Sequence, residues 1–370
     1  MSRGRPPTRT GPRSCQRPRR RDRPRPPDRG LGREDPHDAP PCHAGPRCRE
    51  GDGHPLPRRR ERGRTERGAP VNAKPEGWAW AGRLTAFAGL FIALGLVLGF
   101  AVAVIAGLPG AEATEVIDWR NVAPVLLAAC AATWLLAVGI DRRPLSALGL
   151  RGGSPGLGEL GSGVLAGLAI VGAAILALAV PGWVSWSASA ASVLTGVKVS
   201  ALLLAAAFTE ELLFRGYPFR VLHLRFGPVP AVVATSVAFG LMHGANPGVT
   251  PLALVNLTLA GVLLGVAYWR SGSLWFVTGL HFGWNWVMAA SGLPVSGLEV
   301  SISGLEAAVT GPMLWTGGAF GPEGALSITF VTAVGTVWLW RVAGSRSRAG
   351  SRLSTTAGSP GADGSLDARG

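Results

Sequence analysis

The residues of this chain that could do chemistry in apolar surroundings fall in three short strings. The first, Phe208-Thr209-Glu210-Glu211-Leu212-Leu213-Phe214-Arg215, has two adjacent glutamates and an arginine. The second pairs Phe239 with His243 and the third pairs His281 with Asn285, each four residues apart. Residues at i and i+4 share a helix face. Glu211 and Arg215, opposite in charge at that spacing, predict an ordinary ion pair with a structural role. Glu210 points about 100° away from Glu211 and has no partner on its own helix. A carboxylate, two imidazoles and a carboxamide suit hydrolysis. Glu210 could act as general base toward a water, while His281 and Asn285 could donate hydrogen bonds to a developing oxyanion. Alternatively Glu210, His243 and His281 form a candidate zinc set that leaves one position for water. No HExxH string is present, so the pattern is not that of a zincin. A lone buried histidine is more often a packing residue, so the joint occurrence carries the reading. Of six histidines, only His243 and His281 lie in apolar runs.

These strings sit in a chain that is 47% hydrophobic and 16% charged. From Trp78 onward, apolar runs long enough for membrane spans alternate with short polar joints. Eight spans are predicted, at roughly 84–106, 122–140, 161–180, 194–215, 229–244, 251–269, 274–290 and 325–340. The fold class is therefore all-α, a polytopic membrane bundle over residues 78–341. Its fifth, seventh and eighth helices are short, as helices that pack inside a bundle can be. An acidic or basic group at a span centre costs about 2.5–3.5 kcal/mol on insertion scales, so the few polar residues retained there need a reason. Lys198, near a span end, can snorkel to water.

Arginines orient the bundle. Arg142, Arg143 and Arg151 follow span two, Arg220 and Arg225 follow span four, Arg270 follows span six, and Arg341, Arg346 and Arg348 follow span eight. The opposite joints carry Glu112, Glu115 and Asp118 against Arg120, and then Glu299, Glu306 and Glu323 with no basic residue. The positive-inside rule then predicts cytoplasmic amino and carboxyl ends. Trp183, Trp186, Trp269, Trp275, Trp338 and Trp340 fall near span ends, as an interfacial aromatic belt does. Abundant Arg, Ala, Gly and Pro suggest a bacterial host, hence the bacterial plasma membrane.

Residues 1–77 are Arg-, Pro- and Gly-rich without apolar periodicity, and read as a disordered basic tail. They do not have the layout of a secretory signal. Two readings stay open: a tail that touches anionic lipid or nucleic acid, or a stretch ahead of the true start near Val71. Cys15, Cys42 and Cys48, with His37, His43 and His54, match no paired zinc spacing. Cys130 is alone in a span, and no disulfide framework is visible. Residues 342–370 read as a flexible cytoplasmic tail. No nucleic-acid partner is expected for the folded part.

Glu210-Glu211-x-x-x-Arg215, Phe239-x-x-x-His243 and His281-x-x-x-Asn285, in that order on successive helices, resemble the CPBP family of intramembrane proteases. That family includes CAAX prenyl proteases and bacteriocin-processing or abortive-infection (Abi) proteins. The resemblance covers roughly residues 195–290. It implies a membrane endopeptidase in which Glu210 and His243 activate the water and His281 and Asn285 stabilise the oxyanion, with Glu211, Arg215 and Phe239 in support. Family members are commonly named metalloproteases, and metal-bound and metal-free water both remain open at this point. The implied substrate is a peptide or protein at the bilayer, either a prenylated CAAX protein or a bacterial leader peptide, bacteriocin or membrane regulator, cleaved near the cytoplasmic side. The rivals are a proton-coupled transporter using the Glu/His set as a relay, disfavoured by the lack of an internal repeat, and a noncatalytic scaffold of the same fold. One expectation conflicts with the others. Counting from Val229, His243 lies about 21 Å into span five, whereas Glu210 and His281 are expected nearer the cytoplasmic end.

Overall fold

The computed structural model describes residues 78–105, 118–190, 192–300 and 302–356, with side chains to Arg341. The expected basic tail and its Cys/His group lie outside the described residues. The expected C-terminal tail falls on positions without described side chains and, from 357, outside the described residues.

The chain folds as helices α1 (Ala79–Ile105), α2 (Trp119–Trp134), α3 (Gly153–Ala179), α4 (Val193–Glu211), α5 (Tyr217–Phe226), α6 (Pro228–Met242), α7 (Pro251–Ser271), α8 (Leu274–Ala290), α9 (Met313–Thr316) and α10 (Leu326–Thr356). Strands β1 (Val184–Ala188) and β2 (Leu305–Val309) pair antiparallel, Val184 opposite Val309, and join two loops at one end of the bundle. Each of the eight apolar runs is a helix, and the all-α membrane class holds. By length and apolar composition five helical stretches can cross a bilayer: Ala79–Ile105, Trp119–Ile140, Leu145–Ala179, Val193–Phe226 and Pro251–Ser271. The other three are shorter. Pro228–Met242 and Leu326–Arg341 are apolar helices below spanning length, and α8 has 17 residues. A 15-residue helix rises only about 22 Å against the roughly 30 Å of a hydrocarbon core.

The helix ends follow local chemistry. The hydroxyls of Ser192, Thr250 and Ser273 and the carboxylate of Asp118 accept first-turn backbone N–H groups of α4, α7, α8 and α2. Ile92, Leu96, Val97 and Phe100 stand exposed along α1, a face suited to lipid. Asp141 accepts from Arg83 Nε (3.1 Å) and Tyr217 Oη (3.0 Å), tying α1 and α5 to the end of α2.

Small residues bring the site helix close to its neighbour. Gly163 and Gly167 of α3 meet Gly279 and Gly283 of α8. A β-carbon at any of the four would overlap a backbone carbonyl across the interface. This small-xxx-small pattern lets two backbones touch where no hydrophobic effect drives them together. Phe208 of α4 stacks on Trp275 of α8 at 5.3 Å, and Trp286 Nε1 donates to Ser200 Oγ at 3.0 Å. Gly240 and Gly261 allow α6 and α7 a similarly close approach, through Thr258 and Ser236.

Candidate active site

The α4 helix does not end after Arg215. It passes through a π-helical turn, Leu212–Gly216, into α5, and the chain reverses only at Gly227, whose φ of +89° suits glycine. Glu210 precedes that reversal by 17 residues and His243, at the C-terminus of α6, follows it by 16, so the two lie level. The expected depth conflict came from ending span four at 215. His281 lies seven residues into α8, which places the group in the middle of the bundle rather than at its edge.

Glu210 Oε2 stands 3.9 Å from His243 Nε2 and 3.8 Å from His281 Nε2. That oxygen is buried and accepts no hydrogen bond from the protein. The rear nitrogens of both rings are engaged: His243 Nδ1 lies 2.8 Å from the Phe239 carbonyl and His281 Nδ1 lies 2.8 Å from Glu211 Oε1. A carbonyl only accepts, so His243 must donate from Nδ1 and, when neutral, its Nε2 presents a lone pair to Glu210. The same follows for a neutral His281 beside an ionised Glu211. With both imidazoles neutral, three acceptor atoms converge on one small volume, a set that the O–H groups of a water or the positive charge of a cation would satisfy. Asn285, one helical turn beyond His281, lines the same cavity of about 280 Å³, together with Phe239 and Leu203.

Glu211 does more than the ordinary ion pair expected of it. Its Oε1 accepts from Arg215 Nη1 at 3.1 Å and from His281 at 2.8 Å, and both Glu211 and Arg215 are wholly buried. Arg215 Nη2 donates to the Gly261 carbonyl of α7 at 2.9 Å. Its guanidinium lies 4.8 Å over the Phe239 ring, which also meets the His243 ring at 4.9 Å, the Phe214 ring at 5.4 Å and the His281 ring at 5.7 Å. Phe239 therefore packs against the buried cation and both imidazoles at once, while Arg215 and His281 also share Glu211 Oε1. The π-turn after Glu211 makes room for the arrangement, and single π-turns recur at functional sites.

The zinc expectation concerns the same three atoms. Two ligands on a tetrahedral zinc at about 2.0–2.1 Å stand about 3.4 Å apart, closer than the 3.8 and 3.9 Å found. Among the described residues no group of three His, Cys, Asp or Glu closes to metal-holding distance. The donor types suit zinc, and the spacing suits a water.

Two further polar residues support the site without standing in any of the three strings. Glu323, read only as a loop charge, is buried and lines the cavity beside Ser296 and Asn246. Its carboxylate accepts from Trp284 Nε1 (2.9 Å) and from the Ser296 N–H and hydroxyl. Asn256, a carboxamide within α7 that polarity alone could have flagged, donates to the carbonyls of Glu323 (2.9 Å) and Ala325 (2.8 Å).

The fold and site together define a polytopic helical membrane protein with an acid–imidazole centre held in mid-bundle. Residues 192–287 match the family described as Type II CAAX prenyl endopeptidase Rce1-like, a likeness in keeping with the CPBP resemblance. The match runs from the start of α4 through most of α8 and includes all seven residues singled out from the motifs. No curated protein and no solved structure matches the chain.

Proposed function

We propose that the protein is an intramembrane endopeptidase in which Glu210, with His243, activates a water to cleave a membrane-associated peptide. The observation that carries this reading is the convergence of His243 Nε2 and His281 Nε2 on the unpartnered Oε2 of Glu210. A water held there would lose a proton to Glu210 as its oxygen attacks the scissile carbonyl carbon. Asn285 and a protonated His281 would donate to the resulting oxyanion. When the C–N bond breaks, the proton on Glu210 passes to the departing amine. His281 can serve as donor only with a second proton on Nε2.

The family match supports a peptide at the bilayer as substrate, and a prenylated CAAX peptide is the first to test. A leader peptide, a bacteriocin and a membrane regulator are the bacterial alternatives. Arg220 and Arg225 near the Gly227 reversal, with Arg270 at the end of α7, support an orientation with both termini cytoplasmic in a bacterial plasma membrane. The decisive experiment compares wild-type protein with Glu210→Ala and His243→Ala variants on a fluorogenic prenylated CAAX peptide, and compares membrane proteomes for uncleaved precursors. Both variants should insert normally and process nothing. Normal cleavage by either would defeat the reading.

A further inference from the structure

We infer that Glu323 is a positioning residue of this site, fastening the segment Val295–Leu298 as a wall of the catalytic cavity. The inference rests on the proposed endopeptidase reading. Val295 and Leu298 exchange backbone hydrogen bonds of 2.9 Å each, closing a tight turn. At its tip Ser296 has φ of +50°, a left-handed conformation that a residue with a β-carbon keeps only when its surroundings over-determine it. Two braces supply that determination. On one side Asn246 Nδ2, three residues beyond His243, donates to the Ser296 carbonyl at 2.8 Å. On the other, Glu323 Oε2 accepts from both the Ser296 N–H and its hydroxyl, while Oε1 accepts from Trp284 Nε1.

Trp284 lies between His281 and Asn285 on α8, so the turn is tied to the elements that carry both imidazoles. Val295, Ser296 and Leu298 line the cavity along with Glu210, His243 and His281. The turn touches none of the reacting atoms; its place is where a substrate chain would lie. A carboxylate is the group these donors need. All three are N–H or O–H donors, and in either orientation the amide of a glutamine would set its NH₂ against a donor. Loss of the carboxylate should therefore loosen the turn and weaken substrate holding, with the chemical step untouched.

The test uses the full chain in detergent or liposomes. Hydrogen exchange is followed by peptide-resolved mass spectrometry for wild type, Glu323→Gln and Trp284→Phe, which removes the opposite donor and keeps an aromatic ring. Both variants should exchange at least tenfold faster across residues 293–298, with α4 and α7 unchanged. On the fluorogenic prenylated peptide, Glu323→Gln should raise KM at least fivefold with kcat within twofold of wild type. Unchanged exchange at 293–298 overturns the inference, as does faster exchange throughout the bundle or a fall in kcat at constant KM. If wild-type protein leaves the peptide uncut, the endopeptidase reading is what has failed for that substrate. The exchange arm then decides the role of Glu323 alone, and should Glu323→Gln not fold, Trp284→Phe decides it.

Discussion

Glu211 and His281, 70 positions apart in the chain, share a buried hydrogen bond of 2.8 Å in mid-bundle. The bond holds the imidazole so that Nε2 faces Glu210, while the same glutamate oxygen neutralises Arg215. The adjacent glutamates are thus divided in function. Glu211 faces inward to brace the site, and Glu210 faces the cavity with an unpartnered oxygen.

That division predicts opposite phenotypes. Glu210→Ala removes no hydrogen bond of the protein, so it should keep the wild-type unfolding temperature while losing at least ~10³-fold in turnover. Glu211→Ala strands a fully buried arginine, and breaking such a pair costs about 3–5 kcal/mol. Thermal unfolding in detergent should show a large drop for Glu211→Ala alone. Equal stabilities for the two variants would falsify the division.

Phe239→Leu should keep the bundle folded and lower activity about tenfold. The ring provides one face to the Arg215 guanidinium at 4.8 Å, a contact worth up to about 2 kcal/mol when desolvated. Leucine fills part of the space but offers no π face to the cation and no ring contact to the imidazoles. Phe239→Tyr, which keeps the ring, should retain more activity, as read from initial rates of peptide cleavage.

Gly283→Leu should damage the site from behind. A side chain there meets the Val164 backbone of α3, and forcing it in displaces α8, which carries His281 and Asn285. Overpacking of this kind costs about 1–3 kcal/mol or more. Reduced yield of folded protein together with lost activity is expected, whereas Gly172→Leu, with open space around its position, should behave as wild type in both assays.

Chelation addresses the water directly. Because Glu210 lies 3.8 and 3.9 Å from the two imidazoles, wider than a closed zinc shell, cleavage should persist after dialysis against a strong chelator. Purified protein should also carry far less than one zinc per chain by elemental analysis. Loss of activity on chelation and its return with zinc would assign the three atoms to a metal.

The sequence by itself determined what is local or periodic. Apolar runs of spanning length made an all-α membrane bundle, because only a helix satisfies its own backbone in lipid. The i,i+4 spacings put Glu211 with Arg215, Phe239 with His243 and His281 with Asn285, because helix geometry alone sets which side chains share a face. Only the tertiary structure decided the rest. Whether α4 stopped at Arg215 or ran through a π-turn to Phe226 fixed the level of Glu210 against His243, and Arg220, His223 and Arg225 among the apolar residues of Tyr217–Phe226 fit a polar joint as well as a helix. The Glu211–His281 bond and the burial of Glu323 join segments that share no spacing rule. They exist because bundle packing sets α4 against α8, and the segment before α10 against both α8 and the Ser296 turn, so that distant polar groups find one another in place of water.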